Sequence, residues 1–473
     1  MSDTKNDKIG IFSLTAIVVG SMIGGGAFSL ATDMARNAGI VAIVLAWLIT
    51  GVGMLCLAFV YQNLSKRKPE LKGGIYSYAR AGFGKFIGFN SAWGYWLSAF
   101  LGNVAYTLLL FDALSFFFPI FSGSNNIYVL AGASIILWIV HFIALKGVGQ
   151  AAIINTITTI ARLVPIFAGI VILMLAFNWK QLNFHAFGSS DMGSLLKQLA
   201  STMMVTLWVF IGIEGAVVIS GRARKESDVG KATVIGLSAT LLLYIILNVV
   251  TLAAVPRDAL MQFENPTLAY ALQYIVGPWG AWFINVGLCV ALFGALLSWT
   301  LLASETPYTA AKDGVMPKFF AKENKNNAPA ASLWITNGAI QLFLLISYLS
   351  NGTYRIIYLI ATIAILPPYL LSGLYAFKIA IKKERYAQNE SSKKDLVLAL
   401  IASLYGLWLI YAAGVELLLL CAILYFVGLF VYIYSCKQTK DKWFTNLDRI
   451  LVIGITLATI FGVWAFLSGT IKI

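Results

Sequence analysis

Apolar residues run in long stretches along this chain, each of about 18 to 25 residues between short polar segments, the length a helix needs to cross a bilayer. These windows predict helices near residues 12–35, 39–63, 86–117, 127–146 and 150–177. A second series follows near 198–221, 231–255, 278–309, 331–349 and 354–380, and a third near 396–413, 415–435 and 448–468. The pattern is that of an all-α polytopic membrane protein with about 12–13 transmembrane helices. Two windows carry an interruption. Ser21-Met22-Ile23-Gly24-Gly25-Gly26-Ala27-Phe28 sets three glycines midway through the first, and each costs about 1 kcal/mol against alanine in a helix interior. Phe210-Ile211-Gly212-Ile213-Glu214-Gly215 interrupts the sixth at corresponding depth.

One break at the start of each five-helix series suggests a repeat. Five crossings reverse the starting side, so the second series runs opposite to the first, as an inverted repeat requires. The repeats are expected at about 10–178 and 197–380 within a core of 1–380, with 381–473 as peripheral C-terminal helices.

Composition agrees: 59% of the 473 residues are hydrophobic and 11% charged, which excludes an ordinary soluble domain. The net charge of +14 falls mostly in alternate loops. Lys66, Arg67, Lys68, Lys72, Arg80 and Lys85 follow the second helix, Arg222, Arg224, Lys225 and Lys231 the sixth, and Lys378, Lys382, Lys383, Arg385, Lys393 and Lys394 the tenth. Cations retained in cytoplasmic loops put the N-terminus inside, leaving Arg36, Lys180, Arg257 and Arg355 outside and, after a thirteenth crossing, Lys472 as well. The charge is thus a topogenic signal, and nucleic-acid binding is rejected as its explanation. Met1 to Lys8 reads as a polar leader with no cleavable signal peptide behind it. Cys56, Cys289, Cys421 and Cys436 have no paired spacing, and His141 and His185 are isolated, so neither a disulfide framework, a metal site nor a catalytic triad is indicated. No nucleophile with a base and no phosphate loop points to an enzyme or a cofactor.

A broken membrane helix leaves a half-helix N-terminus, which attracts carboxylate, facing a half-helix C-terminus, which attracts ammonium. The amides around Gly24, Gly25 and Gly26 are therefore candidates for the carboxylate of a free amino acid, and the carbonyls near Phe210 and Ile211 for its ammonium. Close helix packing through small residues would explain a single glycine run, but not the second break. Trp208 beside that break, Tyr95 on the third helix and Trp299 on the eighth are candidates to face a cationic side chain, although most of the 13 tryptophans are expected to pack or to anchor the interface.

Asp112, Arg162, Glu214 and Glu305 are ionisable residues inside predicted helices, where an uncompensated charge costs at least about 2.5 to 3.5 kcal/mol. Glu214 follows Trp208 by six residues, roughly 9 Å along an ideal helix, and Glu305 follows Trp299 at the same offset. Both are candidates to line an inward path for cations, or to form a gate with Arg222 or Arg224. Asp112 reads as a structural partner of neighbouring Tyr or Ser.

Five stretches resemble the basic amino acid antiporters of the amino acid-polyamine-organocation superfamily, and within it the bacterial arginine/ornithine antiporters. They are Gly20-Ser21-Met22-Ile23-Gly24-Gly25-Gly26, Pro69-Glu70-Leu71-Lys72-Gly73-Gly74-Ile75-Tyr76-Ser77-Tyr78-Ala79-Arg80, Tyr95-Trp96 through Gly102-Asn103, Trp208-Val209-Phe210-Ile211-Gly212-Ile213-Glu214-Gly215, and Ala311-Lys312-Asp313-Gly314. The resemblance covers nearly the whole chain. It implies a LeuT-like 5+5 inverted repeat with discontinuous helices 1 and 6, working by alternating access. It further implies that Ser21, Asn103, Trp208 and Trp299 contact or sense substrate and that Glu214 takes part in pH sensing and gating. Three departures stand out: Ala31 where a proline is usual, Arg162 where many relatives carry lysine at a position that replaces a sodium site, and Asp112 in place of a small or polar residue. Arginine does not release its proton, so neither sodium dependence nor proton cycling through Arg162 is expected.

The expected function is a multi-pass exchanger in the bacterial inner membrane, swapping external arginine for internal ornithine with no chemical change to either. The alternatives are a net-uptake permease for basic amino acids and a nontransporting sensor on the same fold. Its expected partners are small amino acids and the lipid bilayer; the sequence leaves the oligomeric state open, a homodimer included.

Overall fold

The computed structural model describes residues 8–123, 126–182, 187–188, 192–350 and 353–470, apart from the side chains of 148–152 and 182. His185, Lys472 and the leader up to residue 7 lie outside the described residues. Among the described residues, twelve helices are long and apolar enough to cross a membrane, and the broken pair Leu195–Trp208 and Gly215–Val218 lies between the fifth and sixth of them.

In chain order, α1 is split into α1a (Ile11–Met22) and α1b (Gly26–Asn37); α2 (Ile40–Arg67), α3 (Lys85–Ser115), α4 (Ile127–Leu145) and α5 (Val148–Leu175) follow. The sixth crossing is split into α6a (Leu195–Trp208) and α6b (Gly215–Val218). Then come α7 (Glu226–Ala254), α8 (Pro278–Lys312) and α9 (Ala330–Ser350). α10 has the segments α10a (Tyr354–Ala364) and α10b (Leu366–Lys382), and α11 (Lys393–Ala413), α12 (Val415–Thr439) and α13 (Asn446–Leu467) complete the bundle.

The breaks follow local chemistry. In α1 the helix stops at Met22 and restarts at Gly26, so Ile23, Gly24 and Gly25 are the unwound residues. In α6 the chain leaves helix after Trp208, passes Gly212 at φ +114°, a left-handed value that glycine tolerates, and regains one short turn at Gly215. The α10 segments meet at Ile365, just ahead of Pro367 and Pro368, whose missing N–H groups cannot continue the ladder from α10a.

The third helices of the two halves, α3 and α8, make the most extensive packing between any two elements described and are the most buried crossings. α1a lies against α7 and α5, and α1b against α6a, which brings the two breaks together. Ser21 Oγ donates to the Gly212 carbonyl at 3.0 Å across them. α11 packs along α10b, α2 and α6a, whereas α13 is held chiefly by α12.

The cation-rich loops gather on one face of the bundle, here the basic face. Arg67 pairs with Glu390 at 2.7 Å and Asp395 at 3.2 Å, Lys68 with Glu384 at 3.0 Å, Arg385 with Glu70 at 3.0 Å and Lys85 with Asp441 at 2.5 Å. The segment before α1 belongs to this face too, because Ile9 exchanges backbone hydrogen bonds with Arg222 at 2.9 Å and Arg224 at 2.8 Å. His141 is buried, with Nδ1 2.7 Å from Asn337 Nδ2 and its ring against Trp334. The four cysteines are free, Cys56 on α2, Cys289 on α8, and Cys421 and Cys436 on α12.

Candidate functional site

Where α1 is interrupted, the Ile23 amide donates to Val19 O at 2.8 Å and the Gly24 amide to Met22 O at 2.9 Å. The next three amides, of Gly25, Gly26 and Ala27, have no hydrogen-bond partner among the described residues. They form the N-terminus of α1b, where partial positive charge concentrates. The expected donor set therefore shifts by one residue: Gly24 is satisfied within the break and Ala27 takes its place. Gly26 has a packing requirement as well, since a Cβ there would stand 2.6 Å from Val209 Cγ1 and 3.3 Å from Trp208 Cδ1.

The carbonyl side of the same break is already occupied by the protein. Arg162 Nη1 donates to Gly20 O at 2.6 Å and Ile23 O at 2.8 Å, Trp299 Nε1 to Ser21 O at 3.0 Å and Tyr244 Oη to Met22 O at 2.6 Å. Arg162 is fully buried, and its Nε also donates to Thr158 O at 3.2 Å. A permanent cation thus caps the C-terminus of α1a, the end a helix dipole makes negative.

The break in α6 has the reverse polarity. The Leu207 carbonyl takes the amides of Phe210 and Ile211 at 3.0 and 3.1 Å, and Phe210 O takes the Ile213 amide at 3.2 Å. Gly212 O accepts from both the Gly215 amide at 2.8 Å and Ser21 Oγ. The carbonyls of Val209 and Ile211 accept no hydrogen bond among the described residues. Of the carbonyls expected to be free, that of Ile211 is unclaimed and that of Phe210 is taken locally, while the Val209 carbonyl is unclaimed as well. Ser21 is itself committed, donating to Val18 O and Gly212 O, each at 3.0 Å.

Aromatic rings enclose this polar gap. Trp208 lies in an aromatic cluster, its ring centroid 5.3 Å from Tyr106 and 5.2 Å from Tyr358, and its indole N–H reaches Tyr354 Oη at 3.0 Å. Trp299 faces Tyr95 at 6.4 Å. Asn103, from α3, donates through Nδ2 to Thr300 Oγ1 at 3.2 Å, while its Oδ1 is buried with no partner among the described residues. Trp208, Trp299, Tyr95, Asn103 and Ile211 are each at most 5% exposed, so this conformation holds the site shut from solvent.

The ionisable residues separate into different roles. Glu214 does not sit 9 Å beyond Trp208 on a continuous helix, because the chain between them is unwound. Its Oε2 takes the Gly212 amide at 3.2 Å and Tyr369 Oη at 2.6 Å, so it belongs to the break itself. Glu305 lies toward the basic face, where Arg222 Nη2 approaches its carboxylate to 2.9 Å and Nε reaches both oxygens at 3.0 Å. Of the pairings expected for the two glutamates, Arg222–Glu305 is the one formed. Asp112 is exposed at the end of α3, beside a cavity on the face opposite the basic one, which corrects its reading as an intramembrane charge held by Tyr or Ser.

That cavity, of about 720 Å³, is lined by Asp33, Arg36, Asp112, Glu264, Asn285 and Tyr354 among others. Tyr354 links it to Trp208 below. Toward the basic face, Arg222–Glu305, Ser220 on the Lys72 carbonyl at 2.9 Å and Tyr76 on Asp313 at 2.6 Å tie α6, α8 and the α2–α3 connection together. The vestibule thus stops at Tyr354 and Trp208 above the enclosed site, and the basic side is tied shut.

Several residues of the site escaped the sequence reading: Ala27, Val209, Tyr106, Thr300, Tyr354, Tyr358 and Tyr369. The pair Tyr354 and Tyr358, four residues apart and hence on one helical face, was the signal available for two of them.

Comparison with known proteins places this architecture. The family model described as amino acid permease matches residues 9–458. The chain is 45% identical to an arginine/ornithine antiporter of Pseudomonas aeruginosa, over 99% of both chains. It is 40% identical to an arginine/agmatine antiporter of Chlamydia trachomatis, over 98% of both. To a putative arginine/ornithine antiporter of Escherichia coli it is 41% identical, over 97% of this chain and 98% of that one. Among solved structures it is similar to MhsT in complex with L-phenylalanine, with a TM-score of 0.60 and 16% identity over 85% of this chain and 98% of that one, a likeness of fold that makes the architecture LeuT-like. With two broken helices meeting at the centre of the bundle and a family match along almost its full length, the chain belongs to the amino acid permease family, as a multi-pass integral membrane transporter rather than an enzyme.

Proposed function

We propose that this protein exchanges arginine for ornithine across the bacterial inner membrane by alternating access. The observation that carries the reading is the polarity of the gap: unclaimed amides at Gly25, Gly26 and Ala27 on one side, unclaimed carbonyls at Val209 and Ile211 on the other. Such a gap suits an α-carboxylate and an α-ammonium at once. Trp208 and Trp299, with Tyr95 and Asn103, then face the substrate side chain, where aromatic faces favour a delocalised cation. The names of the relatives supply the substrate pair.

On this reading the basic face is cytoplasmic, as the distribution of Lys and Arg argues, and the N-terminus lies inside. The conformation is then outward-facing, closed below by Arg222–Glu305 and with Trp208 and Tyr354 over the site. Residues 1–380 form the transport core and 381–473 its periphery, in keeping with the slight attachment of α13. Arg162 takes the place of a coupling cation, so transport needs no sodium.

Exchange between two monovalent cations moves no net charge, and the carrier changes sides only when loaded. Counterflow tests this. Purified protein in proteoliposomes should take up labelled arginine rapidly when the lumen holds ornithine and poorly when it is empty. Equal uptake into empty vesicles would replace exchange with net permeation.

A further inference from the structure

The 720 Å³ vestibule has a charge arrangement that the midplane site does not explain. Three acids and two arginines line it, and both arginines are directed at groups other than Asp112 and Glu264. Arg36 donates to the carbonyls of Met261 at 2.9 Å and Phe263 at 2.7 Å. Arg355 faces Asp33 and Tyr358, and the Tyr358 hydroxyl itself donates to Asp33 Oδ2 at 3.5 Å. Asp112 of α3 and Glu264 of the α7–α8 connection remain, close enough to repel one another and ion-paired with nothing among the described residues.

A second observation lies beside them. Asn285 of α8, 2% exposed, uses its Nδ2 on Ala281 O at 3.0 Å and leaves Oδ1 with no partner, although the residue lines the vestibule. The half-buried Asn265, on the same wall, also has an unpartnered Oδ1. Two carboxylates without an ion-pair partner and, beside them, two amide oxygens without a hydrogen bond make this part of the wall rich in acceptors. What matches such a lining is a planar cation with several N–H donors, and a guanidinium has five.

We propose that Asp112 and Glu264, with Asn285 and Asn265, form a vestibular subsite that receives the guanidinium of an arriving substrate before the amino acid descends past Tyr354 and Trp208. The inference rests on the reading of this protein as a carrier of cationic amino acids and adds where the cation first lands. Carboxylates in a narrow mouth raise the local concentration of a cation and thereby its rate of arrival, an effect that salt screens. Uptake at low substrate should consequently depend on the pair, while turnover at saturation should not.

The test uses the full-length protein in ornithine-loaded proteoliposomes with external labelled arginine. Asp112→Asn with Glu264→Gln should raise KM about tenfold at low salt and keep the maximal rate within about twofold. Above about 0.5 M salt the KM of wild type and variant should converge. Asp112→Glu, which keeps the charge, should restore most of the low-salt KM, a rescue that a packing role for Asp112 would not require. An unchanged KM at low salt, or a loss that salt leaves untouched, overturns the subsite. Wild-type protein that takes up no cationic amino acid would instead overturn the functional reading, so the two failures are separable.

Discussion

The two broken helices are built alike and finished differently. At the α1 break, the protein fills the carbonyl side with Arg162, Trp299 and Tyr244 and leaves the amides of Gly25, Gly26 and Ala27 open. At the α6 break, Glu214 takes the Gly212 amide and local carbonyls take those of Phe210, Ile211, Ile213 and Gly215, while the carbonyls of Val209 and Ile211 stay open. A backbone gap offers both polarities by default. The protein selects one polarity from each break by occupying the other, and so gives the gap a direction: anion toward α1b, cation toward α6a. On the proposed reading, a ligand with both charges on one carbon lies one way round, with its side chain toward Trp208, Trp299 and Asn103.

The largest expected effect comes from emptying the filled side. Arg162→Met strips donors from the buried carbonyls of Gly20 and Ile23, and unsatisfied buried groups cost about 1 to 3 kcal/mol each. Transport should be lost and the melting temperature of the purified protein should fall; a variant as stable and active as wild type would show that the cap is dispensable. In the wild type, replacing sodium with choline should leave arginine exchange unchanged.

Blocking the open side comes next. Gly26→Ala adds a methyl 2.6 Å from Val209 Cγ1 and 3.3 Å from Trp208 Cδ1, which must shift the side chains packed between the two breaks. Exchange should drop more than about tenfold, equivalent to about 1.4 kcal/mol, with normal amounts of protein in the membrane. Full activity would mean that the two breaks need not meet so closely. Trp299→Ala should act more through affinity, raising the KM for arginine about tenfold as it removes both the Tyr95 neighbour and the Ser21 cap. Unchanged exchange kinetics would take Trp299 out of the pocket.

The smallest effect is expected at the hinge of the second break. Glu214 faces Tyr61, Tyr95 and Tyr369 and bonds the Gly212 amide. Glu214→Gln keeps the shape and removes the ionisable group, so the pH dependence of exchange should change while activity persists. An identical profile would confine this residue to packing.

The order of the long apolar helices was legible from hydropathy, and both breaks from glycine, because bilayer thickness and backbone entropy act locally. The partners were not. Arg162 meets Gly20 and Ile23 across 142 and 139 positions, and no local pattern announces such a meeting. Glutamates were harder for a different reason: the offset of Glu305 from Trp299 could be read along a real helix, whereas that of Glu214 from Trp208 crosses the unwound segment. The same unwinding decided which amides and carbonyls satisfied one another, moving the open donors to Ala27 and the open acceptors to Val209.

The direction of the gap is the central claim, and binding measured by calorimetry on purified protein tests it without transport. Arginine should bind, while its methyl ester, which lacks the carboxylate, and N-acetylarginine, which lacks the ammonium, should each bind at least about tenfold more weakly, a loss of about 1.4 kcal/mol. Equal affinity of the ester and the free acid would contradict the account, since the amides of Gly25, Gly26 and Ala27 would then have no anion to hold.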